Sequence, residues 1–311
     1  MSVVQRILTG LGAAAVFMLS GCIDVDLGGI SDRYREDFHY SYSLNPGATI
    51  QLESFNGSVE ITGWDKDLVE IDGTKYAASE MRMKDIKIDI SDSPNSLSIR
   101  TSHPMEHFGN AGARFTLHVP KRVDLTNIST SNGPVRINTI EGSAHVHTSN
   151  GSIHASGLKG SLDAQTSNGT VDLSDVSGDT TVRTSNGSVK AEVRKGHFDA
   201  HTSNGSITAR LLEADSHPVR LESSNGHIEL TLDEAREVHA TTSNSSITIR
   251  MPATINATVN AHTSNASITS DFDVSVHGGR IGKHSLEGNI GEGGPTLDLG
   301  TSNGSIKLVR F

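Results

Sequence analysis

The string TSNGSI and its close variants recur through most of the chain and limit its fold more than any other sequence feature. The repeat is centred on ten asparagines: Asn56, Asn132, Asn150, Asn168, Asn186, Asn204, Asn225, Asn244, Asn265 and Asn303. From Asn132 to Asn204 the spacing is about 18 residues, the next three gaps are about 19 to 21 residues, and the last is about 38 residues. We interpret the last gap as two repeats, one of them degenerate around His284. A nearly constant period of this kind predicts a repeat architecture.

Apolar residues take fixed places on both sides of each asparagine. Val146 and Val182 lie four residues before their asparagines, and Ile153 and Val171 lie three residues after theirs. Polar residues such as Asp172 fill the intervening places. An alternation with a period of two predicts β-strands that bury one face.

Like residues at the same phase of every repeat favour strands stacked in parallel, about 4.8 Å apart, over a meander of hairpins. The predicted fold is therefore all-β, a single-chain parallel β-helix (β-solenoid) of about 18 to 21 residues per coil with an N-terminal cap. A twisted antiparallel sheet or a barrel is the alternative. The threonine two residues before each asparagine shares the parity of the buried valine, so we expect it to point inward.

We expect the glycine after each asparagine to supply the positive φ of a corner. The glycines at this position include Gly151, Gly169, Gly187 and Gly205.

The N-terminal segment up to Cys22 indicates export from the cytoplasm. Residues 1–21 combine one charge, Arg6, with an apolar run at residues 11–19 and small residues, which is typical of a signal peptide. The run is too short to span a bilayer as a helix. It ends in Leu-Ser-Gly-Cys22, which resembles the bacterial lipobox, in which the cysteine is lipidated. Cys22 is the only cysteine, so no disulfide can form within the chain.

These features predict two segments after removal of the signal peptide, residues 1–21. Residues 22–36 form a flexible tether after the lipidated Cys22, and residues 37–311 form the β-solenoid domain. Within it, residues 37–126 hold degenerate coils and the cap, with a short helix near residues 77–84, and residues 127–311 hold the regular TSNG coils. Ile23 follows the cysteine, where an aspartate would resemble an inner-membrane retention signal. The outer membrane, on its periplasmic or surface face, is therefore favoured.

The net charge of the chain argues against nucleic acids and anionic lipid headgroups as partners. The chain has 26 basic and 36 acidic side chains, and loss of the signal removes Arg6 and leaves a net charge of about −11. Such a surface repels nucleic acid and anionic lipid headgroups.

Three stretches together carry a resemblance to a known family. The TSNGSI copies, residues 115–120 (FTLHVP) and the glycine-rich residues 288–294 before a final TSNG resemble the bacterial putative-adhesin family of β-strand-repeat (TSNG-repeat) envelope lipoproteins. The resemblance covers roughly residues 37–311. It implies a right-handed single-chain β-helix on the cell envelope, with no catalytic residue and no cofactor to carry over.

Motifs for catalysis and metal binding have simpler interpretations. Residues 300–304 match GxSxG, but a nucleophile elbow must join a strand to a helix, and here the letters are one more repeat. His147, His201 and His262 share a phase but are three coils apart, roughly 14 Å, too far to share an ion. His145 and His147 could form at most a weak surface site. We therefore predict no catalytic and no metal-binding residue.

The leading hypothesis is a non-enzymatic, membrane-anchored envelope lipoprotein, an adhesin or interaction scaffold that presents a β-helix surface. Its expected partners are the membrane, through the lipid anchor, and an envelope polysaccharide or another envelope protein. The alternative is a polysaccharide-active enzyme or a carbohydrate-binding module, although Asp172, Glu192 and Glu229 fall on different coils. Ice binding by threonine rows conflicts with the inward parity of those threonines.

Overall fold

Two long β-sheets make up nearly all of the regular structure. The computed structural model describes residues 33–102, 111–213, 217–276 and 282–311. Most neighbouring strands in both sheets are parallel. The prediction of an all-β fold with long parallel sheets is confirmed.

Seven strands and one short helix precede the regular repeats. They are β1 (Tyr34–Ser43), β2 (Ala48–Glu53), β3 (Val59–Trp64), β4 (Leu68–Ala77), α1 (Glu80–Lys84), β5 (Lys87–Ser93), β6 (Ser96–Ser102) and β7 (Gly112–Pro120).

Fourteen strands follow in the regular repeats. They are β8 (Val123–Thr130), β9 (Val135–Asn138), β10 (Ala144–Thr148), β11 (Ile153–Lys159), β12 (Leu162–Thr166), β13 (Val171–Ser177), β14 (Thr180–Thr184), β15 (Val189–Lys195), β16 (Phe198–Thr202), β17 (Ile207–Leu211), β18 (Val219–Ser223), β19 (Ile228–Leu232), β20 (Val238–Thr242) and β21 (Ile247–Met251).

Six strands complete the described part of the chain. They are β22 (Ala257–Thr263), β23 (Ile268–Ser270), β24 (Val274–Ser275), β25 (Ser285–Ile290), β26 (Thr296–Thr301) and β27 (Ile306–Arg310).

The strands of each repeat divide between the two sheets. Sheet A has 13 strands in the order β1-β4-β7-β3-β9-β11-β13-β15-β17-β19-β21-β27-β23, and sheet B has 14 in the order β24-β25-β22-β26-β20-β18-β16-β14-β12-β10-β8-β2-β6-β5. A repeat is thus one strand of sheet B, a TSNG turn and one strand of sheet A. Inward aliphatic side chains from both sheets form one buried cluster.

The middle repeats stack in sequence order. Each residue of β10 pairs with the equivalent residue of β12 in the next repeat, from Ala144 with Leu162 to Thr148 with Thr166. This register superimposes the buried face of one repeat on that of the next, because the side-chain period along a strand is two.

The N-terminal end departs from sequence order. The strands β2 and β3 lie between the repeat β6–β7 on one side and the repeat β8–β9 on the other. Ile61 therefore lies between Leu117 and Ile137 in sheet A. Equivalent residues of the repeats therefore still stack on one another, but the repeats do not stack in the order in which they occur along the chain.

The C-terminal end departs in the same way, which corrects our interpretation of the last gap. The final repeat, β26–β27, lies between β20–β21 and β22–β23. The segment after His284 is not a degenerate coil, because its strand β25 runs antiparallel along β22. The chain thus passes beyond β22 and returns to fill the place beside β20.

Antiparallel strands finish both sheets at the N-terminal end and sheet B at the C-terminal end, whereas sheet A ends there in β23, which is parallel to β27. At the N-terminal end β1 and β4 pair antiparallel in sheet A, and β5 pairs antiparallel with β6 in sheet B. The predicted tether boundary at residue 36 is wrong, because β1 begins at Tyr34 and its first three residues already pair with β4. The predicted short helix is present as α1, with the Ser79 hydroxyl accepting a hydrogen bond from the Arg82 N–H at 3.4 Å.

Candidate interaction surface

The threonine of each TSNG turn points inward, as predicted, and most of these threonines hydrogen-bond in two directions. The Thr166 hydroxyl accepts from the Gly169 N–H of its own turn at 3.2 Å and donates to the Gly151 carbonyl of the preceding repeat at 2.9 Å. The same pair of bonds recurs at Thr148, Thr184, Thr202, Ser223, Thr263 and Thr301. These bonds hold the turns in one conformation and fix the height of each turn on its neighbour.

The glycine after the asparagine has the predicted positive φ at Gly57, where φ is 121°, but in the regular repeats it is needed for a different reason. The φ of Gly151, Gly169, Gly187 and Gly205 does not lie in the left-handed region. A Cβ added at Gly187 would lie 1.7 Å from the Gly169 carbonyl oxygen. At the repeats that carry this glycine, the turns approach one another too closely for a Cβ in this backbone conformation, whereas Ser245 and Ala266 occupy the position in two repeats near the C-terminal end. Positive φ occurs at the opposite corner, with values of 139° at Gly178 and 112° at Gly196.

The ten repeat asparagines form one continuous hydrogen-bonded column along the outside of the turns. Each side-chain Nδ2 donates to the Oδ1 of the asparagine in the adjoining repeat, at 2.6 to 2.8 Å. Asn56 begins the column by donating to the Ala111 carbonyl at 2.9 Å. Asn303 lies between Asn244 and Asn265, which follows the spatial order of the strands.

All amides in this column point the same way, with N–H groups toward the N-terminal end of the stack. Aligned hydrogen bonds polarise one another, so the column is stabilised cooperatively. It also engages both polar atoms of the interior asparagines. The column therefore serves mainly to hold the turns in register.

A second column, made of serines, lies beside the asparagines. The serines that precede Asn168, Asn186 and Asn204 are exposed or half-buried, and their hydroxyls hydrogen-bond to no residue within the described ranges. These hydroxyls repeat at the strand spacing of about 4.8 Å.

The outer face of sheet A is dominated by cross-strand ion pairs. Arg250 contacts Glu229 at 2.6 Å, Arg210 contacts Asp233 at 2.9 Å and Arg194 contacts Asp175 at 2.9 Å. The hydrogen bond donated to Asp233 raises the pKa of the Arg210 guanidinium, and the bond to Asp175 raises the pKa of Arg194 in the same way.

The three acids considered for catalysis are not brought together. Asp172, Glu192 and Glu229 lie on β13, β15 and β19, and β17 separates the last two of these strands. Neighbouring strands therefore do not form a three-carboxylate site from them.

The outer face of sheet B carries two columns with different chemistry. The first runs His145, Asp163, Thr181, Asp199, Arg220, His239, Asp298. The second, here called the His147 column, runs His147, Gln165, Arg183, His201, Glu222, Thr241. Its first four members contain no acidic residue.

The structure separates the histidines that share a phase. His147 and His201 are three strands apart, whereas His201 and His262 are four strands apart, because β26 lies between β20 and β22. Within the described ranges, no group of three or more histidine, cysteine or acidic side chains is arranged to hold a metal ion. The GxSxG match at residues 300–304 covers the last two residues of β26 and the turn that leads to β27.

One feature of the repeats had no signal in the sequence. Arg236 is 2% exposed, and its guanidinium donates to the carbonyls of Gly196, His217 and Glu213 at 2.9, 3.2 and 3.4 Å. It fills the corner beside Glu213 and His217, where the repeat is longer than the repeats before it. A lone arginine in a polar stretch of sequence gives no indication of such burial.

Cys22 and the predicted signal lie outside the described residues. Among the residues that are described, no helix is both long and apolar enough to cross a membrane.

No family model matches this chain, and no curated protein is significantly similar to it. Among solved structures, a putative adhesin from Parabacteroides distasonis is 12% identical, with 88% of this chain and 97% of that chain covered and a TM-score of 0.47. A putative adhesin from Parabacteroides merdae is 11% identical, with 88% and 96% covered and a TM-score of 0.43. A putative lipid binding protein from Parabacteroides distasonis is 13% identical, with 88% and 96% covered and a TM-score of 0.39. At such identities and scores, none of these likenesses carries an argument about what the chain binds.

Proposed function

We propose that this chain is a non-enzymatic, lipid-anchored protein of the cell envelope whose strands wind as a β-solenoid and offer its outer faces to another macromolecule. One observation carries the proposal: side chains of one phase line up in columns across successive repeats, ten of them in the asparagine column. Columns of this kind form a long surface of regularly spaced polar groups, which suits an extended partner better than a small substrate.

The pairing of the strands supports the solenoid. In the middle of the chain, neighbouring strands of sheet B are parallel and one repeat apart in sequence, and each is joined to its successor through one strand of sheet A. That alternation is what a chain winding around one axis produces.

The position of β1 supports an anchored arrangement. Lipidation of Cys22 would leave residues 23–33 between the anchor and β1, which begins at Tyr34. A flexible segment of that length reaches about 18 Å. The strand β1 lies at one end of sheet A, so that end would face the membrane. The 14 strands of sheet B would then extend about 60 Å from it at the ladder spacing.

Lipid labelling followed by membrane fractionation tests the anchor. Cells that express the full chain are grown with a labelled lipid precursor, and we expect label in the wild type and none in Cys22→Ala. We expect the wild type and Ile23→Ala in the outer-membrane fraction and Ile23→Asp in the inner-membrane fraction. Equal labelling of Cys22→Ala would refute the anchor.

Photo-crosslinking in intact cells tests the interaction role. A photoreactive residue at Ser185, on the exposed turn after β14, is expected to capture one envelope component reproducibly. The control position is Val182, which is fully buried in the same repeat. If Ser185 and Val182 give the same background in intact envelopes, the surface has no partner there and the interaction role is wrong.

A further inference from the structure

A shallow groove of about 200 Å³ crosses the outer face of sheet B between the His147 column and the serine column. Four successive repeats line it, through His147, Gln165, Arg183 and His201. Its second wall is the serine column at Ser167, Ser185 and Ser203. Every polar side chain in these walls can donate a hydrogen bond, and none is a carboxylate.

Several of these donors are unused within the described part of the chain. The hydroxyls of Ser167, Ser185 and Ser203 donate to no described residue, and His147 forms no ion pair there. Arg183 is 52% exposed and approaches only Asp163, at 4.0 Å. An arginine has five N–H donors in a planar fork, so most of its capacity stays open to a ligand.

The groove differs from the rest of the outer surface in its charge. On sheet A the arginines Arg194, Arg210 and Arg250 each contact a carboxylate at 2.9 Å or less. The His147 column is free of acids over four strands, and its first acid is Glu222, beyond His201. Acids lie at its edges, where Gln165 donates to Asp163 at 3.2 Å and His201 lies 3.4 Å from Glu222, so Arg183 is the cation in the groove that is most open to a negative charge.

From this geometry we infer that the groove binds a linear polysaccharide that carries carboxylates at intervals along its chain. The donors repeat about every 4.8 Å along the stack, and His147 and Arg183 are two spacings apart, about 10 Å. A polymer lying along the axis can therefore place a carboxylate on Arg183 while its hydroxyls meet the serine column. Several weak contacts to one polysaccharide chain strengthen its binding, because each contact raises the effective concentration of the next sugar at the groove. The inference rests on the proposed interaction role and names its ligand class.

The net negative charge of the protein favours a polysaccharide with widely spaced carboxylates over a nucleic acid. The chain has a net charge of −10, which repels a nucleic acid with a charge on every residue. A polysaccharide with a carboxylate on every second sugar meets less long-range repulsion and still supplies a charge to the Arg183 fork. A polynucleotide that bound equally well would therefore contradict the inference.

Binding of hyaluronate oligosaccharides to the purified full-length protein tests the inference. By calorimetry we expect saturable binding that weakens as salt rises, with no binding of the carboxyl-reduced oligosaccharide or of free glucuronate at the same concentration. Arg183→Gln should weaken binding about tenfold, as expected for loss of a charge-assisted hydrogen bond. Asp163→Asn should tighten it, because it removes the carboxylate that competes for Arg183.

The matched control is Arg210→Gln on sheet A, because Arg210 is 53% exposed and Arg183 is 52% exposed. Circular dichroism checks that each variant is folded. The inference is overturned if hyaluronate does not bind, if Arg210→Gln weakens binding as much as Arg183→Gln, or if a single-stranded DNA oligonucleotide binds as tightly. Crosslinking at Ser185 that persists in Arg183→Gln cells would refute the groove and leave the envelope role standing.

Discussion

The middle and the ends of the molecule use the same repeat under different rules of order. From β10 to β21 each strand pairs with its successor in the same sheet. At both ends one repeat is inserted between two others, β2–β3 at the N-terminal end and β26–β27 at the C-terminal end. The contrast shows that the repeated residues fix which side chains stack on one another, because any TSNG turn can stack on any other. They do not fix the order in which the repeats stack, which must be specified by other residues.

The strands at the two ends specify the order of the repeats, because stacking must stop there. A parallel edge with a free TSNG turn would accept another copy of the repeat, and exposed edges of this kind promote aggregation. Both ends of sheet B instead finish in antiparallel strands, β5 and the β24–β25 pair, and the parallel edge that remains in sheet A is the three-residue strand β23. Insertion of the final repeat leaves β22 outside it, where β25 can cover its free edge.

Truncation after Gly294 should have the largest effect, because it removes an internal repeat of the stack. The buried side chains of β26 and β27 would be lost, and they are Leu297, Leu299, Ile306 and Leu308. Four such side chains represent about 6 to 12 kcal/mol of apolar burial. By hydrogen exchange, β22 and β25 should lose their protection while β10 to β19 keep theirs.

The matched control is deletion of residues 169–186, one whole repeat from the middle. Asn168 is then followed by Gly187, so the phase is intact and the remaining repeats can stack as before. We expect a folded protein with protected amides on both sides of the junction. If β22 stays fully protected in the truncated chain, the inserted repeat is not needed to hold the end and the contrast fails.

Gly187→Ala should have the next largest effect. Its Cβ would lie 1.7 Å from the Gly169 carbonyl oxygen, and overpacking of this kind costs about 1 to 3 kcal/mol. Gly282→Ala, with no atom within 4 Å of its Cβ, should change the free energy of unfolding by less than about 0.5 kcal/mol. Urea denaturation measures both. Toward the C-terminal end Ser245 and Ala266 occupy this position, so the turns there accommodate a side chain. If Gly187→Ala and Gly282→Ala changed the free energy of unfolding equally, the turns in the middle would accommodate a side chain as well.

The asparagine column should show the smallest difference. Asn186→Ala removes two hydrogen bonds, to Asn168 and from Asn204, whereas Asn265→Ala at the end of the column removes one, to Asn303. At about 0.5 to 1.5 kcal/mol each, the interior variant should lose about twice as much stability in urea denaturation. Equal losses would show that the hydrogen bonds along the column do not set the stability of the turns.

The sequence predicts the middle of this molecule well, because strand parity, the stacking of like residues and the inward threonines all follow from one period. It predicts the ends poorly, because the phase of the repeat does not tell whether Asn303 lies beyond Asn265 or between Asn244 and Asn265. Ordinary glycine rules also misled us at Gly187, where the reason is the closeness of the neighbouring backbone rather than positive φ. Of the candidate groove, the sequence indicated that His147 and His201 share a phase, but not that Arg183 and the serines line the groove with them.

Pairs of engineered cysteines test the order of the stack most directly. Two cysteines form a disulfide only when their Cα atoms are within about 7 Å. His239 pairs with Asp298, and Asp298 pairs with Asn260, so His239 and Asn260 are two strand spacings apart, about 10 Å. In a Cys22→Ala background under mild oxidation, we predict that His239→Cys with Asp298→Cys forms the disulfide and that His239→Cys with Asn260→Cys does not. The reverse result on a non-reducing gel would show that the repeats stack in sequence order to the end and would contradict the inserted repeat.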